Sequence, residues 1–226
     1  FHVGKGEARA RFIDDPHGPV WIWEVPDAAA RYVVSADIAS GGSRDFTSVH
    51  VLKVGQSLEQ VASYRGKCDP DEAAILIDRL AKVYSPGKGA NRSWALVAPE
   101  RNSYGLHTID KLVNDRRYPN IYTHKRTDTV DYRESRDYGW LTSTATRNRS
   151  LEYLKEMVRE ATILIRCSRT FAEMETFIYQ KAADGKGDEK PCAPRGGFDD
   201  MVMALAIGVS VADRVPSGPA VLYRPS

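Results

Sequence analysis

The sequence predicts an α/β domain: a mixed central sheet of five or more strands, an antiparallel meander followed by parallel strands, flanked by helices. Three observations predict it. Residues 31–64 hold three successive runs rich in β-branched and aromatic residues, joined by short connections, as in a meander. Residues 69–123 alternate helical and strand-like runs, which implies parallel strands with crossover helices. A last helical run, from about Asp199 to Ala212, carries the apolar stretch Met201–Ile207.

In chain order, residues 1–30 read as an N-terminal arm that ends in the short apolar strand Val20-Trp21-Ile22-Trp23. Residues 31–39 read as a buried strand, Gly41-Gly42 as a turn, and Phe46–Val54 and Leu58–Tyr64 as two further strands. Asp69-Pro70-Asp71-Glu72 is a helix start, with Asp69 as cap, Pro70 at the first helical position and Glu72 completing a capping box. Ala74, Ile77, Leu80, Ala81 and Tyr84 follow at helical spacing, and Ser85-Pro86-Gly87 ends the helix. Trp94–Ala98 reads as a strand, Tyr104–Val113 as a helix, and Asn120–Thr123 as a strand. Residues 125–149 read as loop, with Ser150 capping a helix that carries Leu151, Leu154 and Val158. Thr162–Ile165 reads as a strand, Phe171–Tyr179 as a helix, and residues 181–197 as a loop or hairpin. The main domain is expected to span 31–213, with a Pro-rich tail at 214–226.

A chain of 226 residues suits one large domain with a core of its own. Its 32 basic and 30 acidic residues nearly balance, so no global field advertises nucleic acid, although local patches can. Cys68, Cys167 and Cys192 form no CxxC spacing, which fits a reducing compartment and no zinc site. The longest apolar run is too short to span a bilayer, and no secretory signal is visible. The first residue is Phe1, so an origin in a longer polypeptide is expected.

Three widely separated acidic positions border apolar runs. Asp37 lies inside Tyr32–Ala39, Glu100 closes Trp94–Pro99, and Asp199-Asp200 open Met201–Ile207. A carboxylate is costly to bury unless something pairs with it. With nearby glycines and hydroxyls, these acids point to a fold that gathers them round divalent cations, and Mg²⁺ and Mn²⁺ prefer oxygen ligands. Each has an ordinary alternative: a strand-end acid for Asp37, a helix-dipole partner for Glu100, a helix cap for one of Asp199 and Asp200. Asp45 reads first as turn chemistry.

The order of these acids, on the first strand of a meander, at the end of the fourth strand and at the start of the last helix, resembles the ribonuclease H fold. The motifs are similar to those of the nuclease domain of large terminase subunits, part of the DNA-packaging motors of tailed bacteriophages. The segments concerned are Trp21–Pro26, Tyr32–Gly41 with Arg44–Val49, Pro99-Glu100-Arg101-Asn102, Gly139–Ser143 with Arg147, and Gly196–Ala206. Phe198 stands where that family usually has His. The resemblance implies a two-metal endonuclease using Mg²⁺ or Mn²⁺, with Asp37, Glu100 and one of Asp199 and Asp200, by preference Asp200, as ligands, and Asp45 assisting. It also implies cleavage of concatemeric double-stranded DNA with little sequence preference. The family's ATPase domain, portal protein and small terminase subunit are the implied partners, in the host cytoplasm and with no membrane. The ATPase signature GxxxxGK[ST] does not occur in the chain.

Candidate phosphate-contacting residues are Lys125, Arg126, Arg147 and Arg149, interleaved with tyrosines, and Lys186 in the lysine-bearing loop. An ordinary solvated surface is the competing reading of these charges. Rival functions are another ribonuclease H-fold nuclease of resolvase or transposase type, an actin-like nucleotide-binding module, and a non-catalytic docking domain.

Overall fold

The computed structural model describes residues 15, 17–42, 44–127, 134–180, 190–192 and 197–216. Strands β1 (Val20–Ile22), β2 (Arg31–Asp37), β3 (Thr47–Val54) and β4 (Leu58–Gly66) come first, then helix α1 (Pro70–Val83), strand β5 (Leu96–Pro99) and helix α2 (Ser103–Asp110). Strands β6 (Thr123–Thr127) and β7 (Glu134–Tyr138), helix α3 (Thr144–Arg159), strand β8 (Ile163–Leu164) and helix α4 (Ser168–Glu175) follow. The last elements are β9 (Ile178–Gln180), β10 (Lys190–Cys192) and helix α5 (Asp200–Val211).

The main sheet runs β1-β4-β3-β2-β5, with β8 also paired to β4. β2, β3 and β4 form the expected antiparallel meander, and β5 lies parallel to β2. Side chains alternate across β2. Tyr32, Val34 and Ala36 belong to the cluster with Ala74, Ile77 and Leu80 of α1, while Val33 belongs to the opposite cluster with Leu154 of α3 and Leu205 of α5. The sheet is therefore covered on both faces. Asp37 shares the α5 side with Val33 and Ser35, and Gly208 of α5 lies directly against Ser35. Every residue of α5 from Asp200 to Val209 is buried, which suits a helix apolar all round.

The capping box of α1 forms as the sequence predicts: the Asp69 carboxylate accepts the Glu72 N–H at 2.8 Å, and the Asp69 N–H donates to Glu72 at 3.2 Å. Four expectations are corrected. Within residues 125–149, expected as loop, β6 and β7 are paired antiparallel strands; they pair with each other and not with the main sheet, so no core-facing apolar alternation marks them. Asn120–Thr123 is no full strand: Ile121 makes a single bridge to Val97, and the chain passes into β6. Helix α3 starts at Thr144 with Ser143 as cap, in a box closed by Thr146; Ser150 lies inside the helix and donates to the Thr146 carbonyl at 2.8 Å. The helix expected over Phe171–Tyr179 is α4, which ends at Glu175, and Ile178 and Tyr179 belong to β9. No helix among the described residues is long and apolar enough to cross a membrane.

Candidate metal centre

Two acids stand side by side because β2 and β5 are parallel neighbours. Asp37 ends β2 opposite Ser48 of β3. Glu100 follows β5, and its N–H donates to the Ala36 carbonyl at 2.7 Å. Both acids thus lie at the carboxyl ends of parallel strands, where open α/β sheets place their sites. The Glu100 carboxyl lies close enough to Asp37 to raise the Asp37 pKa.

Asn102 holds Glu100 in place. Its amide donates to Glu100 Oε2 at 2.7 Å and to the Ile38 carbonyl at 3.1 Å, while its Oδ1 accepts the Gly105 N–H at 2.6 Å as the cap of α2. Gly105 is required there, because a Cβ would fall on the Glu100 carbonyl oxygen. On the far side, the Trp140 N–H donates to the Pro99 carbonyl at 2.8 Å and its carbonyl accepts the Arg101 N–H at 2.7 Å. Gly139, at φ +87°, makes the turn that delivers Trp140 to this position.

The third acidic position arrives on α5. Asp200 lies in the first turn, and its Oδ2 accepts the Phe46 N–H at 3.1 Å. That bond ties α5 to the segment carrying Asp45, whose own carbonyl accepts from the Lys67 ammonium at 2.8 Å.

These carboxylates feel one another. Burial first, then Glu100, then Asp200 and Asp199 push the Asp37 carboxyl well above its ordinary range. Part of Asp37 reaches solvent, yet its carboxyl is densely surrounded by protein. Asp200 is pushed up to about 6, mainly by burial; the Phe46 N–H and Arg65 oppose the shift, and Asp45 and Asp199 add to it. Glu173 of α4, also buried, is raised by burial and by Asp200, against the Met201 N–H and Arg65. Among the described residues, no three acids already face one point as a ready ion cage. Repulsion acts over longer distances than coordination: Asp37 lies in the field of Glu100, Asp199 and Asp200, while the Asp200 carboxylate is bonded to the Phe46 N–H. A proton on the raised Asp37 carboxyl and a divalent cation are alternative ways to neutralise its charge. An all-oxygen donor set with surplus negative charge fits a hard divalent ion.

Glu100, Asp200 and Asp199 lie near enough to raise the Asp37 carboxyl, and Asp45 and Asp199 near enough to raise that of Asp200. Asp199 takes the cap position of α5 without capping it; its carboxylate instead accepts from Arg147 at 2.6 Å. Arg147, read as a phosphate contact, is thus engaged by an acid of the cluster. Arg149 is exposed on α3 and makes no ion pair among the described residues. Lys125 and Arg126 lie on β6, opposite Arg136 and Ser135, and Lys186 lies outside the described residues. The sequence reading missed Asn102 and Glu173 as supports. Asn102 had a usable signal, a cap residue two positions after the acid, whereas Glu173 had none beyond its place on a short helix.

No protein-family model and no curated protein matches the chain. Solved structures do. The large terminase nuclease from thermophilic phage G20c with bound magnesium is similar with a TM-score of 0.65 at 15% identity, over 87% of this chain and 89% of that one. The same nuclease with bound cobalt gives 0.65 at 16% identity, over 87% and 89%. The Thermus phage P74-26 large terminase nuclease domain gives 0.63 at 16% identity, over 90% of each chain. The chain has the ribonuclease H-like fold of the large terminase nuclease domains.

Proposed function

We propose that this chain is a divalent-metal-dependent endonuclease domain of a large terminase subunit, cutting concatemeric double-stranded DNA during genome packaging with little sequence preference. One observation carries the reading: Asp37 ends β2 beside Glu100 at the end of β5, and both Glu100 and the Asp199-Asp200 pair at the start of α5 push the Asp37 carboxyl up. The similar nuclease crystallised with magnesium and with cobalt supports divalent ions, and Mg²⁺ or Mn²⁺ in a two-ion site is the proposed cofactor.

Asp37, Glu100 and Asp200 are the proposed ligands, with Asp45 and Asp199 assisting. Cations held there supply an activated attacking water and charge neutralisation at the leaving 3′-oxygen. The protein's own part is placement. Asn102 fixes the rotamer of Glu100, the Phe46 N–H fixes Asp200, and the parallel pairing of β2 and β5 sets Asp37 beside Glu100. Arg149, Lys125, Arg126 and Lys186 are proposed to meet backbone phosphates, which carry no sequence information. The ATPase domain, the portal protein and the small terminase subunit are the proposed partners, in the host cytoplasm.

The test is plasmid cleavage by the purified chain with Mg²⁺ or Mn²⁺, with and without chelator. Cleavage that needs the metal and leaves 5′-phosphate and 3′-hydroxyl ends is expected. Undiminished cleavage in chelator, or none under any metal while the domain is folded, overturns the reading.

A further inference from the structure

Helix α5 begins without help from its own cap residue. Asp199 makes no cap hydrogen bond, and its carboxylate is committed to Arg147. The first N–H groups of a helix have no partner within it, and here they are buried, since Met201 and Val202 are 0% and 3% exposed. A neighbouring helix supplies the missing acceptor. Glu173 Oε2 of α4 accepts the Met201 N–H at 2.8 Å and the Val202 N–H at 3.4 Å. A carboxylate at a helix N-terminus is favoured by the dipole. Its burial is offset by Arg65, whose Nε lies 3.3 Å from Oε1 and whose guanidinium covers the Phe46 ring at 3.8 Å. The Met201 carbonyl, in turn, accepts from His50 at 2.9 Å. The backbone that carries Asp200 is thus gripped from both sides, and the Asp200 carboxylate is gripped by Phe46.

We propose that Glu173 is a positioning residue for the metal centre: a cap supplied by α4 that fixes Asp200 and leaves Asp199 available to the site. The inference rests on the metal reading of the carboxylates. Its logic is a competition. An Asp at the cap position normally turns back onto the N–H groups of its own helix. With Glu173 on those groups, Asp199 faces Arg147 and contributes its charge to Asp37 and Asp200. Removing Glu173 strands two buried donors, and Asp199, at the cap position of the same helix, is an acid placed to recapture them. Both aspartates would then leave their present orientations.

The test compares the parent with Glu173→Ala and Glu173→Gln, each stripped of metal and titrated with Mn²⁺ by calorimetry, with circular dichroism confirming the fold. Glu173→Ala is expected to weaken Mn²⁺ binding about 10- to 100-fold, the usual scale for losing a group that orients a ligand. Glu173→Gln keeps an oxygen for the Met201 N–H and is expected to restore affinity to within about threefold of the parent. If Glu173→Ala does not fold, Glu173→Asp, which keeps the charge and loses the reach, carries the same comparison. Equal Mn²⁺ affinity in all the folded proteins, with only the melting temperature lowered, reduces Glu173 to a structural cap and overturns the proposal. A folded parent that binds no Mn²⁺ overturns the metal reading itself, and the proposal with it.

Discussion

Two buried polar groups flank the first turn of α5, and they follow opposite rules. On one side, His50 and Gln60 are fully buried with every polar atom partnered. His50 Nε2 donates to the Met201 carbonyl at 2.9 Å, Nδ1 accepts from the Gln60 amide at 2.6 Å, and Gln60 Oε1 accepts the Arg166 and Cys167 N–H groups at 2.8 Å each. The Met201 carbonyl can only accept, so Nε2 carries the proton and the ring is neutral. Burial accordingly lowers the His50 pKa to about 4. On the other side, Glu100, Asp199 and Asp200 raise the Asp37 carboxyl, and Asp45 and Asp199 raise that of Asp200. A satisfied network fixes structure; acids that repel one another keep a demand for neutralisation, which the proposed cation would meet.

Substituting across this boundary should give opposite signatures. Asp37→Asn is expected to lower cleavage by at least ~10³-fold, the loss of several kcal/mol of transition-state stabilisation, with an unchanged or higher melting temperature. Parental cleavage by the folded variant would remove Asp37 from the site. His50→Ala should do the reverse to the fold: a cavity plus a stranded Met201 carbonyl and Gln60 amide should cost about 2–4 kcal/mol in denaturant unfolding. A loss below about 1 kcal/mol would mean that water replaces the ring.

Acidity sharpens the contrast, because the two groups titrate in one window with opposite signs. Asp200, raised to about 6 from an ordinary ~3.9, binds more protons folded than unfolded; its contribution is complete below about pH 4 and is lost as pH rises through 6. Asp37 acts in the same direction. His50, lowered to about 4 from an ordinary ~6.5, contributes above about pH 6.5 and loses that contribution as pH falls through 4. The metal-free parent should therefore show a shallow stability profile between these values. Asp200→Asn should uncover a steeper rise with pH, and parallel profiles for the two proteins would dissociate Asp200 from the window.

The smallest expected effect separates two neighbouring arginines. Arg149→Ala should reduce the slope of log DNA affinity against log salt by about 1, the signature of one lost phosphate contact. Arg147→Ala should change it less, since Asp199 already engages that side chain. Identical slopes in parent and Arg149→Ala would move the DNA track elsewhere.

What the sequence made legible follows from how local each signal is. The meander of β2, β3 and β4 and the capping box of α1 are written in adjacent residues, and both form as read. The β6–β7 pair forms its own two-stranded sheet apart from the main one, and its sequence shows no apolar period. The start of α3 was hidden because its first turns are polar, although Ser143 and Thr146 have box spacing. The carboxylates were legible because acids beside apolar runs are conspicuous. Their supports were not. Asp199 looked like a cap by local rules, and only Arg147, fifty-two residues earlier, and Glu173 on another helix overrule that reading. Asn102 reaches Glu100 and Ile38 at once, a relation created by the pairing of β2 with β5.

The close approach of Gly105 to Glu100 offers a way to disarm the centre while leaving its charge untouched. A methyl group at 105 would drive the start of α2 off the end of β5, and Asn102, bonded to both, would have to release one of them. Gly105→Ala would keep every acid, every base and the net charge of +2, and would lose only the angle at which one carboxylate is presented. Such a protein is the matched decoy for binding experiments: the same electrostatic surface to an approaching duplex, without the alignment that the proposed cleavage requires.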